Sequence, residues 1–317
     1  MKTPTFNAKI LLFGEYGIIN NSKGLTIPYK QFSGFLSKPI LSLDSAQEES
    51  HKKVKDFLNF LMSIDSKILV FDRDKIKNDL DENIYFESNI PQGYGVGSSG
   101  ALVAAVYSRY SKNRIIVLEK ISKEKLKTLK LIFSKMESFF HGNSSGLDPL
   151  NSYTNKPILI NSKNNIELST ITFQNLDGKG AVFLLDTMNR RETAPMVNIF
   201  FENMKKKSFS RMMKNQFSLI TESCVKDFTS NNYKNLFFHL KELSVIVYKN
   251  FKSMIPDKYY DVWLEGINSD AYYLKLCGSG GGGYILGFTQ NWKKAQKKLS
   301  AYDLLLVNHL NFKNQLN

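Results

Sequence analysis

The sequence predicts a globular protein that combines α-helices with β-strands, and three stretches carry this prediction. Residues 84–106 have the order of a strand, a glycine-rich loop and a helix, and residues 122–140 have the apolar spacing of a long amphipathic helix. Residues 272–288 predict two strands that are joined by a second glycine-rich loop. The length of 317 residues and the apolar content of 42% allow two domains and a core large enough to fold without disulfides.

The charge and the composition of the chain indicate which classes of ligand and partner we expect. The formal net charge of +14 either reflects lysines spread over solvated faces or attracts anionic ligands such as nucleotides. The basic residues form only short clusters, at 205–207 and 293–294, so we expect no nucleic-acid partner. Cys224 and Cys277 have neither C-x-x-C nor metal spacing, which predicts a reducing compartment and no structural disulfide or zinc. We expect a cytoplasmic protein with no membrane partner, because no apolar run approaches a membrane span or a signal-peptide core.

The apolar pattern predicts the remaining elements. Residues 10–13 predict a buried strand that Gly14 interrupts, and on this segment alone Lys9 and Glu15 are an edge lysine and a turn glutamate. Further elements are a helix at 47–64, strands at 68–71 and 182–185, helical stretches at 196–229 and 233–254, and a closing basic helix from about 292.

The first glycine-rich loop spans residues 89–100 and reads Asn-Ile-Pro-Gln-Gly-Tyr-Gly-Val-Gly-Ser-Ser-Gly. Glycines let a loop turn its N–H groups inward, and the helix that follows adds unpaired N–H groups and the positive end of its dipole. The loop therefore predicts a cradle for an anion, most often a phosphate.

Two known phosphate-binding patterns can be compared with this loop. The P-loop pattern is absent, because no lysine follows the last glycine. Residues 95–100 do satisfy the dinucleotide pattern G-x-G-x-x-G, and residues 115–118 predict a second strand that ends in the acid Glu119. However, residues 91–94 separate the first strand from these glycines, whereas a dinucleotide fold joins them almost directly. A dinucleotide-dependent oxidoreductase remains an alternative at this point.

The helix at 122–140 and the loop after it contain two carboxylates of interest. Ser122 is a plausible N-cap, and the apolar residues Leu126, Leu129, Phe133, Met136 and Phe140 form one stripe. Glu137 lies at or beside this stripe, where it either reaches solvent or belongs to a metal site or an ion pair, because burying an unpaired charge is costly. In the turn-rich segment 141–149, His141 is more often structural than catalytic, and Asp148 either caps the next helix or joins Glu137 in a site.

Three motifs, at residues 9–15, 91–99 and 275–283, resemble in order the motifs of the GHMP kinases. This superfamily includes galactokinase, homoserine kinase, mevalonate kinase and phosphomevalonate kinase. Residues 137–148 are most similar to the mevalonate kinase pattern of a helix glutamate followed by His-Gly-x-x-Ser-Gly-x-Asp, and residues 186–193 to its Asp-Thr-x-x-x-Arg-x-Thr stretch.

The resemblance implies an α+β fold with two domains. We expect an ATP-binding, ribosomal-protein-like N-terminal domain at 1–180 and a ferredoxin-like C-terminal domain at 181–317, with the active site in the cleft. It also implies ATP and Mg²⁺ as cofactors and a small-molecule substrate, and it is compatible with a homodimer.

The resemblance further implies a role for each matching residue. Asp148 takes or orients the proton of the acceptor hydroxyl, and Lys9 keeps Asp148 ionised and stabilises charge during transfer. The Ser99 hydroxyl and the Glu137 carboxylate hold Mg²⁺. The residues that hold the ATP phosphates are Pro91, Gly93, Gly95, Val96, Gly97, Ser98 and Ser99. The residues that border the acceptor are Glu15, Tyr16, Arg191 and Thr193. The glycines that support the site from the third motif are Gly278, Gly280, Gly281 and Gly282.

Some residues depart from the family pattern. Tyr16 replaces the usual histidine, Gly100 the usual alanine, and Cys277 and Ser279 the common threonine and alanine. The implied function is ATP-dependent phosphorylation of the mevalonate 5-hydroxyl, as a step of isoprenoid biosynthesis. The alternatives are a kinase for phosphomevalonate, a sugar or homoserine, the related diphosphomevalonate decarboxylase, and a non-enzymatic ligand-binding member.

Overall fold

The computed structural model describes residues 3–64, 68–117, 121–162, 165–171, 178–190 and 193–312. Their contacts divide the chain into two compact units, and neither is continuous in sequence. The first unit comprises Met1–Lys9, Ile27–Pro91 and Gly97–Lys156, and the second comprises Ile10–Thr26, Gln92–Val96 and Pro157–Asn317. The domain boundary near residue 180 stays a prediction.

The first unit is built mainly from helices. Its elements are strand β1 (Phe6–Phe13, as far as Lys9), strand β2 (Gly24–Ser37, from Ile27), helices α1 (Ser45–Ser63) and α2 (Arg73–Asp81), strand β3 (Tyr85–Ser88), and helices α3 (Ser98–Tyr110), α4 (Lys123–His141) and α5 (Leu147–Thr154). Strand β2 pairs antiparallel with β3, from Gly34 opposite Ser88 to Ser37 opposite Tyr85. Helix α3 packs against α5, and α4 packs against both.

Capping and apolar spacing explain the two long helices of this unit. Helix α1 begins with a capping box, in which Asp44 accepts a hydrogen bond from the Gln47 amide and the Gln47 side chain accepts one from the Asp44 amide. Helix α4 begins after Ser122, whose hydroxyl accepts a hydrogen bond from the Lys125 amide. The predicted stripe of α4 is buried at Leu126, Leu129, Phe133 and Met136. The prediction of both helices is confirmed.

Two short strands that the sequence predicts do not form ladders. Within residues 68–71 only Phe71 pairs, in a single antiparallel bridge with Ser111. The Val70 carbonyl instead accepts a hydrogen bond from the Lys112 amide, and the Val70 amide donates to the Asn113 side chain. The prediction of a strand at 68–71 is therefore wrong, because the distant residues Lys112 and Asn113 satisfy this backbone.

Residues 115–117 also lack strand structure. The Ile115 amide donates to the Tyr107 hydroxyl at 2.8 Å, and the Ile115 carbonyl accepts from the Tyr153 hydroxyl at 2.9 Å. Two tyrosine hydroxyls thus take the place of a neighbouring strand. Residues 118 and 119 lie outside the described residues, but the second strand that the dinucleotide interpretation requires is absent from the described part of this segment.

The second unit contains the beginning of β2 and most of the remaining chain. Its other elements are strands β4 (Ile158–Ser162), β5 (Asn165–Leu168) and β6 (Gly180–Asp186), helices α6 (Thr193–Met204), α7 (Lys207–Met212), α8 (Ser218–Thr229), α9 (Tyr233–Asn250) and α10 (Tyr260–Ser269), strands β7 (Tyr273–Leu276) and β8 (Tyr284–Thr289), helix α11 (Trp292–Lys298) and strand β9 (Leu304–Leu310). The start of β2 pairs antiparallel with β4, and β4 with β5.

A four-stranded antiparallel sheet forms the centre of the second unit. Its strand order is β7-β8-β6-β9. Strand β6 is central and buried from Gly180 to Leu185, so both of its faces are covered. The predicted helix at 196–229 is interrupted after Met204, and Met213–Phe217 forms a π-helix. Helix α11 is not the closing element, because β9 follows it and pairs with β6.

Among the described residues, no helix combines the length and the apolar character that a membrane crossing requires.

Candidate active site

In the first unit, Lys9 and Asp148 form an ion pair, although 138 residues lie between them in the sequence. The Lys9 Nζ atom lies 3.1 Å from Oδ1 of Asp148. The Lys9 side chain is buried on β1, whereas the Asp148 side chain is 36% exposed in the first turn of α5. A carboxylate at a helix start is stabilised as the anion by the helix dipole as well as by the lysine. The pair therefore offers a carboxylate that solvent and small molecules can reach.

Glu137 is the second carboxylate of this site and is only 3% exposed in the last turns of α4. The Ser144 hydroxyl donates a hydrogen bond to its Oε2 atom. Burial, followed by the negative charge of Asp148, raises the pKa of Glu137 to about 8. Of the two positions that the sequence allows, the solvent-facing one is thus excluded, and Glu137 is a buried acid that a cation would ionise.

Ser99 and His141 meet at the ends of two helices. The Ser99 hydroxyl, in the first turn of α3, lies 3.1 Å from Nε2 of His141, the last residue of α4. The sequence favours a structural role for His141, whereas the structure brings it into contact with the predicted metal ligand Ser99. The signal that could have revealed this contact is its spacing, since His141 follows Glu137 by one helical turn.

Gly100 explains how closely α3 approaches Asp148. A Cβ atom on Gly100 would lie 2.8 Å from the backbone carbonyl carbon of Asp148 and 2.9 Å from the Pro149 nitrogen. These are backbone atoms, so they have little freedom to move away. The glycine that departs from the family pattern therefore permits the contact between the start of α3 and the start of α5.

The predicted phosphate loop is divided between the units. Pro91, Gly97, Ser98 and Ser99 belong to the first unit, with Gly97 as the N-cap of α3 and no side chain capping the helix. Gly93, Gly95 and Val96 belong to the second unit, where Val96 is buried and the two glycines are exposed. The uncapped amides at the start of α3 are donors that suit an anion.

In the second unit, Glu15 forms a buried ion pair with Lys275 of β7. The Lys275 Nζ atom lies 2.5 Å from Oε1 of Glu15, and both side chains are 5% exposed or less. Lys275 also donates to the Leu276 carbonyl at 2.8 Å. The sequence does not single out Lys275, although it stands in the third motif as Glu15 stands in the first. The predicted place of Glu15 beside an acceptor stays a prediction.

Tyr16, which replaces the usual histidine of the family pattern, is buried in the same unit. Its hydroxyl donates to the Ser279 carbonyl at 2.7 Å, and its ring stacks on Phe200 with 4.5 Å between the centroids. Burial, followed by the charge of Glu15, raises the pKa of the Tyr16 hydroxyl, so it remains a hydrogen-bond donor at all ordinary pH values.

The structure describes the other predicted residues to different extents. Arg191 lies outside the described residues, and of Thr193 only its place at the start of α6 is described. The glycines of the third motif, Gly278, Gly280, Gly281 and Gly282, form the connection between β7 and β8. The flanking strands predicted at 272–276 and 284–288 are confirmed.

The family model described as GHMP kinases N terminal domain matches residues 66–154. This segment contains Ser99, Glu137 and Asp148, and its sequence is similar to the N-terminal domain of the GHMP kinases. The resemblance that the motifs predict is therefore confirmed. No curated protein matches the sequence.

Solved structures of GHMP kinases have the same fold over nearly the whole chain, and several of the similar structures are mevalonate kinases. Mevalonate kinase from L. major, in complex with R-mevalonate, is 15% identical, with 98% of this chain and 97% of that chain covered and a TM-score of 0.61. Phosphomevalonate kinase from Streptococcus pneumoniae, in complex with phosphomevalonate and AMPPNP, is 12% identical, with 97% and 100% covered and a TM-score of 0.61. Galactokinase from Lactococcus lactis, complexed with galactose, is 11% identical, with 97% and 93% covered and a TM-score of 0.60. The α+β fold of a GHMP kinase is confirmed.

Proposed function

We propose that this protein transfers the γ-phosphoryl group of ATP to a hydroxyl of a small alcohol, with the mevalonate 5-hydroxyl as the first choice of acceptor. The observation that carries the proposal is the ion pair of Lys9 with the accessible Asp148, 3.1 Å apart, beside the buried Glu137. Phosphoryl transfer depends mainly on positioning and on neutralising charge, and these residue types serve both purposes.

Asp148 is the group that accepts or orients the proton of the attacking hydroxyl. Its carboxylate is partly exposed, so an acceptor can reach it. Lys9 and the start of α5 both interact favourably with this carboxylate, which orients it for the acceptor hydroxyl.

Lys9 has a second role that follows from its position. Its ammonium group is buried and is held by Asp148, so its charge is weakly screened by solvent. A fixed cation beside the attacking oxygen stabilises the negative charge that spreads over the transferred group.

The residues present fit a magnesium ion. Glu137 offers a buried carboxylate whose pKa is raised by burial and by Asp148, and the Ser99 hydroxyl is among the groups that oppose this rise. Among the described residues, no three or more His, Cys, Asp or Glu side chains are grouped to hold a metal, but Mg²⁺ bound with a nucleotide needs only one or two protein ligands besides phosphate. Glu137 and Ser99 would hold the ion, which when bound neutralises phosphate charge and polarises the bond that breaks.

ATP phosphates are assigned to the loop residues Pro91, Gly93, Gly95, Val96, Gly97, Ser98 and Ser99. The uncapped start of α3 supports this assignment, because its free amides and its dipole favour a polyanion.

The choice of mevalonate rests on the pattern of residues 137–148 and on the similarity to mevalonate kinases along the whole chain. The second candidates are phosphomevalonate and a sugar, because phosphomevalonate kinase and galactokinase have nearly the same TM-scores. A cytoplasmic location, a place in isoprenoid biosynthesis, the absence of nucleic-acid partners and a homodimer remain predictions.

The test of acceptor identity is ATP consumption by the purified protein with mevalonate, phosphomevalonate, homoserine and hexoses, each with Mg²⁺. We expect the highest kcat/KM with mevalonate. A rate with mevalonate no higher than the rates with the other alcohols overturns the choice of acceptor, and no consumption with any of them overturns the kinase.

The test of mechanism uses Asp148→Asn and Lys9→Met. General-base and charge-stabilising groups each contribute about 10²- to 10⁴-fold to kcat, so we expect losses of that order. Asp74→Asn and Lys52→Met make the same chemical changes at exposed positions of α2 and α1 and should keep full activity. Retention of a tenth or more of kcat in D148N would show that Asp148 is not the base.

A further inference from the structure

Tyr16 has an unusual backbone conformation, with φ of 58°. Bulky residues rarely adopt positive φ values, and they do so only where the surroundings hold them. Here the ring stacks on Phe200 and lies 6.0 Å from the ring of Phe251, while the hydroxyl donates to the Ser279 carbonyl. With 7% of its surface exposed, Tyr16 retains little surface for direct contact with an acceptor.

Two adjacent side chains thus reach the same region of the second unit. Glu15 binds Lys275 at the end of β7, and Tyr16 binds Ser279 in the loop that follows. All residues from 278 to 283 except Ser279 are glycines, so this loop has high conformational freedom unless hydrogen bonds restrain it. The Tyr16 hydroxyl supplies one such restraint, and the Gly281 amide supplies another by donating to the Met254 carbonyl at 2.6 Å.

The restrained loop packs directly against part of the phosphate loop, residues 92–96. A Cβ atom on Gly95 would lie 2.9 Å from the Cys277 carbonyl oxygen, and one on Gly283 would lie 2.5 Å from the Cα atom of Tyr94. The rings of Tyr94 and Tyr284 are also in contact, 4.9 Å apart between centroids. Because these contacts join backbone to backbone, a shift of one loop requires a shift of the other.

We propose that Tyr16 is a positioning residue for the nucleotide: through Ser279 and the glycine loop, its hydroxyl fixes the part of the phosphate loop that includes Gly93 and Gly95. The residue that the family pattern places beside the acceptor therefore acts in this chain on ATP. The inference rests on the proposed function only in taking a nucleoside triphosphate as the ligand of the loop.

Tyr16→Phe tests this role, because it removes the hydroxyl and keeps the ring that stacks on Phe200. The primary measurement is the Kd of AMPPNP with Mg²⁺ by calorimetry, which requires no acceptor. A preformed loop binds more tightly than one that must be ordered, and a single hydrogen bond corresponds to about a three- to tenfold effect, so we expect Kd to rise by that factor. In steady-state assays KM for ATP should rise by a similar factor, and KM for the acceptor should stay within twofold.

Tyr272→Phe is the matched control. Tyr272 is also buried in the second unit, and its hydroxyl donates to the Val262 carbonyl at 2.9 Å. Its loss removes the same kind of hydrogen bond outside the loops. We expect a similar fall in melting temperature in both variants and an altered Kd only in Y16F. If Y16F folds poorly, Phe200→Leu, which removes the ring that holds Tyr16, should give the same rise in Kd.

The outcomes separate this inference from the proposed function. An unchanged Kd in Y16F, or a rise confined to KM for the acceptor, overturns the positioning role. If wild-type protein binds AMPPNP but phosphorylates none of the alcohols, the proposed function fails and the Kd comparison still decides the role of Tyr16. If wild-type protein does not bind AMPPNP, both fail.

Discussion

Among the residues that the structure describes, two buried lysines each bind a carboxylate, and the two pairs differ in one respect. In the first unit, Lys9 is buried but Asp148 is 36% exposed, whereas in the second unit both Lys275 and Glu15 are sealed from solvent. An ion pair that is closed on all sides connects parts of the fold and has no oxygen exposed to exchange a proton with a bound molecule. A pair with one accessible oxygen can also exchange a proton with a bound molecule. Accessibility, rather than charge, distinguishes the candidate catalytic pair from the structural one.

Breaking each pair gives the largest expected effects. Lys275→Met leaves Glu15 buried without its lysine, so we expect the free energy of unfolding to fall by about 3–5 kcal/mol. Lys9→Met should lower it by less than half as much, because Asp148 can still be hydrated. Urea unfolding of both variants measures the difference. The double variant Glu15→Gln with Lys275→Met should recover part of the stability, and equal losses in K9M and K275M would contradict the comparison.

Glu137→Gln extends the comparison of buried and accessible carboxyl groups to the pH dependence of stability. The folded protein holds the Glu137 proton up to about pH 8, while an ordinary glutamate releases it near 4.5. The folded state therefore binds more protons than the unfolded state in this window, and stability falls as pH rises through it. Because one pKa unit corresponds to about 1.4 kcal/mol, we expect E137Q to be more stable than wild type by about 2–4 kcal/mol at pH 8 without Mg²⁺ or nucleotide.

The gain in E137Q should disappear near pH 5, where wild-type Glu137 is already protonated. Urea unfolding at the two pH values tests this, with Glu124→Gln at the exposed start of the same helix as the control that shows no gain at pH 8. The same substitution should abolish Mg²⁺-dependent activity. Equal stability of E137Q and wild type at pH 8 would mean that Glu137 is ionised in the folded protein.

Gly100→Ala tests how closely Asp148 must be held. The new methyl group meets backbone atoms of Asp148 and Pro149 below 3.0 Å, so we expect a loss of about 1–3 kcal/mol in stability. Thermal unfolding measures this loss, and kcat should fall because the Asp148 carboxylate moves with its backbone. Gly100→Val should cost more than Gly100→Ala in both measurements, and an unchanged melting temperature in the alanine variant would indicate that the two helix starts separate easily.

His141→Ala has the smallest expected effect. It removes the contact with the Ser99 hydroxyl, and a net hydrogen bond of about 0.5–1.5 kcal/mol corresponds to a two- to tenfold rise in KM for MgATP. Initial rates at varied MgATP concentration measure this KM. His51→Ala removes a histidine that contacts the Ile84 carbonyl instead and is the control expected to keep the wild-type KM.

The sequence predicted the elements whose signal is local. The Ser122 cap and the apolar stripe define α4, and the glycine-flanked strands β7 and β8 lie where their composition places them. The short apolar run at 68–71 failed because hydrogen bonds from Lys112 and Asn113, distant in sequence, decide its conformation. Local pattern cannot reveal such partners.

The candidate site was predictable in its residue types but not in its contacts. The spacing of the apolar residues allowed Glu137 to be either buried or solvent-facing. In the folded protein Glu137 is buried, and Ser144 and Asp148 lie around its carboxylate. The ion pair of Glu15 with Lys275 joins residues 260 apart in sequence, and no periodicity connects them. The roles of the site residues in turnover stay predictions until the variants are measured.

The discontinuity of the second unit has a consequence for biosynthesis. Its first stretch, Ile10–Thr26, leaves the ribosome long before β9, which completes the sheet by pairing with β6. At about 5–20 residues per second, the delay is of the order of tens of seconds. During that time Glu15 and Tyr16 have neither Lys275 nor Ser279 available. The earliest part of the second unit therefore waits for most of the chain to be made before these two side chains can form their native contacts.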